Sequence, residues 1–205
     1  MESKTEYPPN HRPPEETPNP RYKEAFNNYR KIQILKQEYF KLKEKSFIDS
    51  LTDCYNRNAW EDYQKHIDLN RGNSLTLIAI DINGLKTIND TKGHDAGDRL
   101  IKNTALYLQE VFSRKGDRVF RIGGDEFVIA CDYVDPTKRD SFNSFIDLNF
   151  NQENLNQKGL DFAVGISHSN PDTDSSVSDT LKRADKKMYQ NKQKQKSQNP
   201  SLYSR

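Results

Sequence analysis

The stretch Arg121 to Ala130 reads RIGGDEFVIA, and it constrains the fold more than any other part of the chain. Two adjacent glycines separate the short apolar runs RVFRI and EFVIAC, a pattern that predicts two strands joined by a tight hairpin. The carboxylates Asp125 and Glu126 follow the glycines directly. A hairpin with a polar tip is one reading of this turn, and a metal site that handles phosphate is the other. Glycine has no Cβ, so Gly123 and Gly124 would tolerate positive φ and let a substrate come close to the backbone.

The surrounding pattern places this hairpin in a larger sheet. SLTLIAIDI (Ser74–Ile82) is apolar and β-branched and reads as a buried strand that ends in Asp81. Gly97 to Val111 has helical spacing through Leu100, Ile101, Ala105 and Leu108, as an amphipathic helix requires. Ser141 to Leu155 predicts a helix, Leu160 to Ser169 a strand, and Ser176 to Lys192 a final helix with Val177, Leu181, Ala184, Met188 and Tyr189 on one side. Strands alternate with helices around one hairpin, which predicts an α/β (α+β) domain with a central mixed sheet flanked by helices.

The first half-hundred residues differ in kind. Six of the nine prolines lie in residues 1–20, which read as an extended or disordered tail, with a docking motif as the alternative. Residues 21–46 contain neither Pro nor Gly, and Tyr22, Phe26, Tyr29, Ile32, Leu35, Tyr39 and Leu42 recur at spacings of three and four. That is an amphipathic helix with a broken heptad pattern, either packed on its own domain or serving as a dimerising stalk. The globular domain is expected over 47–197, with a short tail over 198–205.

Composition narrows the function classes. A net charge of +2 points to no nucleic-acid partner. Cys54 and Cys131 lie far apart in no metal or redox pattern and read as free thiols of a reducing compartment. No apolar run approaches the roughly 18 residues of a membrane span, and the N-terminus lacks the apolar core of a signal peptide. The expectation is a cytoplasmic protein with no membrane partner.

Carboxylates at strand ends carry the chemistry. If the first strand lies beside the hairpin, Asp81 and Asp125 meet at one edge of the sheet, where α/β proteins bind ligands. Two unpaired carboxylates that close repel each other, and a Mg²⁺ between them removes the cost. This cation takes one or two carboxylates plus water and phosphate oxygens. In DINGLKTIND (Asp81–Asp90), Gly84 marks a strand-to-helix turn whose free N–H groups suit phosphate oxygens. Lys86 adds a point positive charge. In KGHDAGD (Lys92–Asp98), Asp98 can accept from both guanine N1–H and N2–H, while Asn89 offers a donor and an acceptor. Taken singly, Asp98 also reads as a helix cap and His94 as a structural histidine.

Taken together and in order, RIGGDEFVIA, DINGLKTIND, KGHDAGD and LTDCYNR (Leu51–Arg57) resemble the GGDEF domain of diguanylate cyclases, and RADKKMYQNK (Arg183–Lys192) resembles that family's final helix. The resemblance implies a fold related to adenylyl cyclase and polymerase palm domains. It implies condensation of two GTP into cyclic di-GMP and two pyrophosphates, across a homodimer, with two Mg²⁺ per active site and Mn²⁺ as a substitute. By matched position it implies Asp81, the Ile82 carbonyl and Asp125 as metal ligands, and Asp125 and Glu126 as the catalytic acids. Asn89, His94 and Asp98 match the guanine-nucleoside site, and Lys86, Lys192 and Lys196 match positions that meet the triphosphate. RKGD (Arg114–Asp117) matches the family's RxxD inhibitory site for the cyclic di-GMP product, although such a string is also a common surface ion pair.

Four residues depart from the family pattern. Asn83 stands where a second acid is usual, Leu85 where an aromatic is common, Gln195 where glycine is frequent and Lys196 where arginine is common. The alternative to an active cyclase is a degenerate module that binds GTP or cyclic di-GMP as a sensor. A cyclase joining GTP to ATP would be expected to change the base-reading position, yet Asp98 favours guanine. Residues 1–46 are a candidate attachment for a regulatory partner.

Overall fold

A computed structural model describes residues 20–67, 75–132 and 134–198. The chain divides into two compact units, residues 1–45 and residues 46–205. The predicted tail over the first residues lies outside the described part, save Pro20, which opens α1 (Pro20–Lys45). Along this helix Phe26, Tyr29, Ile32, Ile34, Leu35, Tyr39 and Leu42 are all exposed.

The second unit is built on four strands: β1 (Thr76–Ile82), β2 (Asp117–Arg121), β3 (Glu126–Cys131) and β4 (Phe162–His168). Their order is β2-β3-β1-β4 and every pairing is antiparallel. The alternation of strands and helices around one hairpin predicted a mixed sheet. β1 and β2 do run in the same direction, but β3 folds back between them, so no two of the four strands pair in parallel; an isolated parallel bridge joins Tyr55 to Phe120 of β2. Every residue of β1 is buried, as expected for an apolar strand at the centre of a sheet with both faces covered.

Alternation along β1 divides the core in two. Ile78, Ile80 and Ile82 face α4 (His94–Val111), α5 (Arg139–Phe150) and α6 (Gln152–Gln157), in a cluster with Ile101, Leu108, Phe127, Ile146 and Phe162. Leu75 and Leu77 face the other way and pack with Trp60, Phe120, Val128 and Val177, under α2 (Arg57–His66) and α7 (Val177–Gln198). The helix expected over 141–155 is therefore two helices, broken at Asn151, whose extended backbone lets its side chain cap α6 by accepting from Asn154 N. The final helix continues six residues past the predicted end, through Gln198.

Close approach fixes α7 on the sheet. A Cβ built on Gly165 in β4 would lie 2.1 Å from the Ala184 carbonyl and 2.2 Å from the Met188 amide. Only glycine lets helix and strand backbones meet this closely. Among the described residues, no helix is long and apolar enough to cross a membrane.

Candidate active site

The site begins where β1 leaves the sheet. Asp81 and Glu126 are directly opposed in the β1–β3 ladder, so their side chains share one face. The Ile82 amide donates to the Asp125 carbonyl at 2.9 Å, which brings the glycine turn alongside the end of β1. Asp81, Asp125 and Glu126 thus come from two separated segments to one corner of the sheet. By alternation Asp81 lies on the face covered by α7. The Lys192 Nζ of that helix donates to its carboxylate in a short ion pair.

The turn is held from outside the hairpin. The Arg57 Nε donates to the Ile122 carbonyl at 2.7 Å. Arg121 donates to the Gly124 carbonyl at 2.9 Å and pairs with Asp49 at 3.0 Å. Burial works to raise the Asp49 carboxyl, but hydrogen bonds from Thr52 and Arg121, together with the Arg121 charge, hold it below its ordinary range. The turn glycines act differently from the expectation, because neither Gly123 nor Gly124 has positive φ. A Cβ on Gly123 would sit 2.5 Å from the Glu126 Oε2, so this glycine makes room for the folded-back Glu126 side chain. Gly124 has open space around its Cα.

No cluster of three or more His, Cys, Asp or Glu side chains forms a metal cage among the described residues. In the site, Asp81 is engaged by Lys192 and Glu126 is folded over Gly123. The available donors are hard carboxylate and carbonyl oxygens. They fit a cation such as Mg²⁺, which completes its shell with water and phosphate oxygens rather than with protein alone.

Beyond β1, Gly84 turns the chain with φ 68° and caps α3 (Leu85–Lys92). Only a residue that tolerates the left-handed region makes this turn without strain. Lys86 lies exposed on the first turn of α3, and His94 is the exposed first residue of α4. Asn89 is held against α4 by a glycine that the sequence reading passed over. A Cβ on Gly97 would lie 1.9 Å from the Asn89 Oδ1, so the Asn89 amide rests on the α4 backbone one residue before the exposed Asp98.

The model of the family described as "Diguanylate cyclase, GGDEF domain" matches residues 46–198. The chain belongs to the GGDEF family. The Escherichia coli K12 protein named "Probable diguanylate cyclase DgcJ" is 32% identical over 164 residues, covering 78% of this chain and 32% of that protein. The chain spans less than half the length of the curated relatives it matches. Among solved structures, the Pseudomonas aeruginosa diguanylate cyclase SiaD in complex with its activator SiaC superposes with a TM-score of 0.63 at 23% identity, covering 84% of this chain and 68% of that one. The coiled coil and GGDEF domain of Caulobacter crescentus DgcB, in complex with c-di-GMP, superposes with a TM-score of 0.61 at 19% identity, covering 84% and 94%. At these identities the superpositions show the fold.

A cavity of this GGDEF domain, about 390 Å³, lies beyond β2 and β3 and is lined by Arg114, Lys115, Asp117, Asp132, Lys138 and Phe145 among others. The exposed Arg114 guanidinium lies 5.3 Å from the centre of the Phe145 ring. Burial pushes the Asp117 carboxyl above its ordinary range, against hydrogen bonds from the Cys131 thiol and the Arg114 backbone and against the Arg114 charge, which all lower it. Lys196 lies half-buried on the last turns of α7. Gln195 and Asn83, two of the departures from the family pattern, are hydrogen-bonded to each other at 3.0 Å. Asp49, Arg57, Gly97 and Gly165 are the residues of this corner that sequence reasoning missed. The one legible signal among them was Gly165, a glycine inside a strand.

Proposed function

We propose that this GGDEF domain condenses two GTP into cyclic di-GMP and two pyrophosphates. The observation that carries the reading is the opposition of Asp81 and Glu126 in neighbouring strands, with Asp125 hydrogen-bonded through its carbonyl to Ile82. This corner offers the hard oxygens that a triphosphate's divalent cations require, beside a helix that brings Lys192.

Asp81, the Ile82 carbonyl and Asp125 would hold two Mg²⁺, with Glu126 turning from Gly123 toward the second. When bound, the cations neutralise the triphosphate and acidify the ribose 3′-OH. The chain supplies the rest by positioning and by screening charge. Lys192 releases Asp81 and, with Lys86 and Lys196, meets the phosphates. Asn89 and Asp98 read the guanine edge, with His94 at the nucleoside. The 3′-oxygen of one nucleotide forms a bond to the α-phosphorus of the other. The α–β phosphate bond breaks, pyrophosphate leaves, and the hydroxyl proton passes to solvent. Each subunit does this once for the other.

One subunit holds half of the reactants, so catalysis requires a second copy. The exposed apolar residues of α1 suit a dimerising stalk, because such a stripe gains most by pairing with its own kind. The pocket of Arg114 and Asp117 would bind the product and restrain the enzyme, since the guanidinium can grip a guanine edge or a phosphate.

The test is incubation of the purified chain with GTP and Mg²⁺, with products resolved by mass. Cyclic di-GMP from the wild type and none from Asp125→Ala supports the reading. Tight GTP binding without product would instead identify a sensor module.

A further inference from the structure

Among the described residues, the outer edge of β4 is covered by side chains of α7 in a regular ladder. The Asn83 amide donates to the Asp161 carbonyl at 2.9 Å just beyond the β1–β4 register. In an antiparallel pair, hydrogen-bonded and non-bonded positions alternate, so Phe162, Val164, Ile166 and His168 direct their backbone groups away from β1. Each of these residues finds a partner on α7. Arg183 Nη2 donates to the His168 carbonyl at 3.0 Å, and Lys187 Nζ to the Ile166 carbonyl at 2.8 Å. The Val164 amide donates to Asn191 Oδ1 at 3.0 Å, and Gln195 Nε2 to the Phe162 carbonyl at 3.2 Å.

The four helix residues are spaced by four and the four strand residues by two, in opposite directions. Four helical residues rise about 6.0 Å, and two strand residues span about 6.6 Å. The side chains absorb so small a mismatch, so the helix stands in for a fifth strand and closes the edge against pairing with another chain. A shift of α7 by one residue would break all four bonds together. The final rung is doubly tied, because Gln195 Oε1 also accepts from Asn83 Nδ2, on the turn two residues after Asp81. Asn83 Nδ2 donates at the same time to Asp161 at 2.8 Å.

We infer that this ladder sets the axial register of α7, and that Gln195 is the positioning residue that places Lys192 at Asp81 and at the nucleotide phosphates. The inference rests on the proposed nucleotide site. Lys192 lies between the last two rungs, Asn191 and Gln195, so those rungs fix where its Nζ can reach. Asn83 and Gln195 act as a pair: an aspartate at 83 would face the Asp161 carboxylate, and a glycine at 195 would leave both Asn83 and the Phe162 carbonyl without their partner.

The experiment measures binding of a non-hydrolysable GTP analogue with Mg²⁺ by calorimetry, for wild type, Gln195→Met, Lys192→Met and the double variant. Methionine keeps the volume and the helix propensity of Gln195 while removing its hydrogen bonds. Gln195→Met is expected to weaken binding about tenfold, the scale of one weakened hydrogen bond, with kcat at saturating GTP within about threefold of wild type. In the Lys192→Met background the same change is expected to add nothing, because the residue acts through Lys192. Additive losses, or no loss in the single variant, would overturn the inference. Failure of the wild type to bind the analogue would overturn the proposed function itself, and the inference with it.

Discussion

Lys192 is ion-paired to Asp81, the carboxylate that stands opposite Glu126 across the β1–β3 ladder. In the proposed metal site, the lysine holds the place that a divalent cation would take. Lys192→Gln is expected to tighten Mn²⁺ binding severalfold in the absence of nucleotide, because a competing positive charge has gone. It is expected to weaken GTP binding by about tenfold or more, the worth of a charge-assisted phosphate contact. Titration of both ligands on the same variant checks this. Parallel loss of both would show that Lys192 does not compete with the cation.

Removing an acid should abolish product without unfolding the chain. Asp125→Ala and Asp81→Asn are expected to lower cyclic di-GMP formation by a factor of about 10³ or more, because phosphoryl chemistry here depends on charge positioning. The far-ultraviolet circular dichroism should match wild type. Retained turnover in either variant would remove the two-strand metal site.

The proposed guanine-reading corner depends on a missing methyl group. Gly97→Ala places a Cβ where Asn89 Oδ1 now lies, 1.9 Å away. The expected outcomes are destabilisation by about 1–3 kcal/mol from overpacking and a raised KM for GTP. Denaturant unfolding and initial rates measure the two effects on one sample. A wild-type KM would mean that the position of Asn89 on α4 does not matter for the nucleotide.

Feedback should depend on Arg114 and on pH. Arg114→Ala is expected to let product accumulate past the plateau that wild type reaches. The Asp117 carboxyl is held above its ordinary range by burial, so it becomes protonated at a higher pH than an exposed aspartate. In the proposed product site it would then stop accepting from guanine. Inhibition by added cyclic di-GMP is expected to weaken on acidification before an ordinary carboxylate would titrate, which an inhibition series across pH measures.

His168 makes a separate contribution to stability. Burial first, then the charges of Arg139 and Lys187, bring its imidazole down to about 4. In the neutral form one ring nitrogen sits 2.7 Å from the Thr76 hydroxyl and the other 3.2 Å from Asn143 Oδ1. The folded state therefore binds its proton less tightly than the unfolded state. The stabilisation is full above the unfolded value of about 6.5 and is lost as pH falls toward 4. With partial solvation allowed for, the loss is on the order of 1–2 kcal/mol. Thermal unfolding between pH 7 and pH 5 should show a steeper decline for wild type than for His168→Gln.

Much of the sheet was legible because its cause is local. A glycine turn between two apolar runs closes a hairpin wherever it occurs, and an unbroken β-branched run such as Thr76–Ile82 belongs in a sheet covered on both faces. The nearness of Asp81 to Asp125 was conditional in the sequence, since it required the first strand to lie beside the hairpin. The antiparallel order was not legible, because nothing in β1 or β2 says that β3 folds back between them. α2 was missed for a similar reason: it is short, and only Ala59 and Trp60 along it are buried.

The sequence by itself determined where the four strands and the helices α1, α4 and α7 form, and that two acids sit on a glycine turn. Solvent partition and backbone sterics act over a few neighbouring residues, so their imprint is periodic and can be read along the chain. Only the tertiary structure decided that Lys192 reaches Asp81, that Asn89 lies on Gly97, and that Arg183, Lys187, Asn191 and Gln195 close the β4 edge. Those partners are remote or lie on different elements, and what joins them is the pairing register of folded segments, which no local pattern encodes.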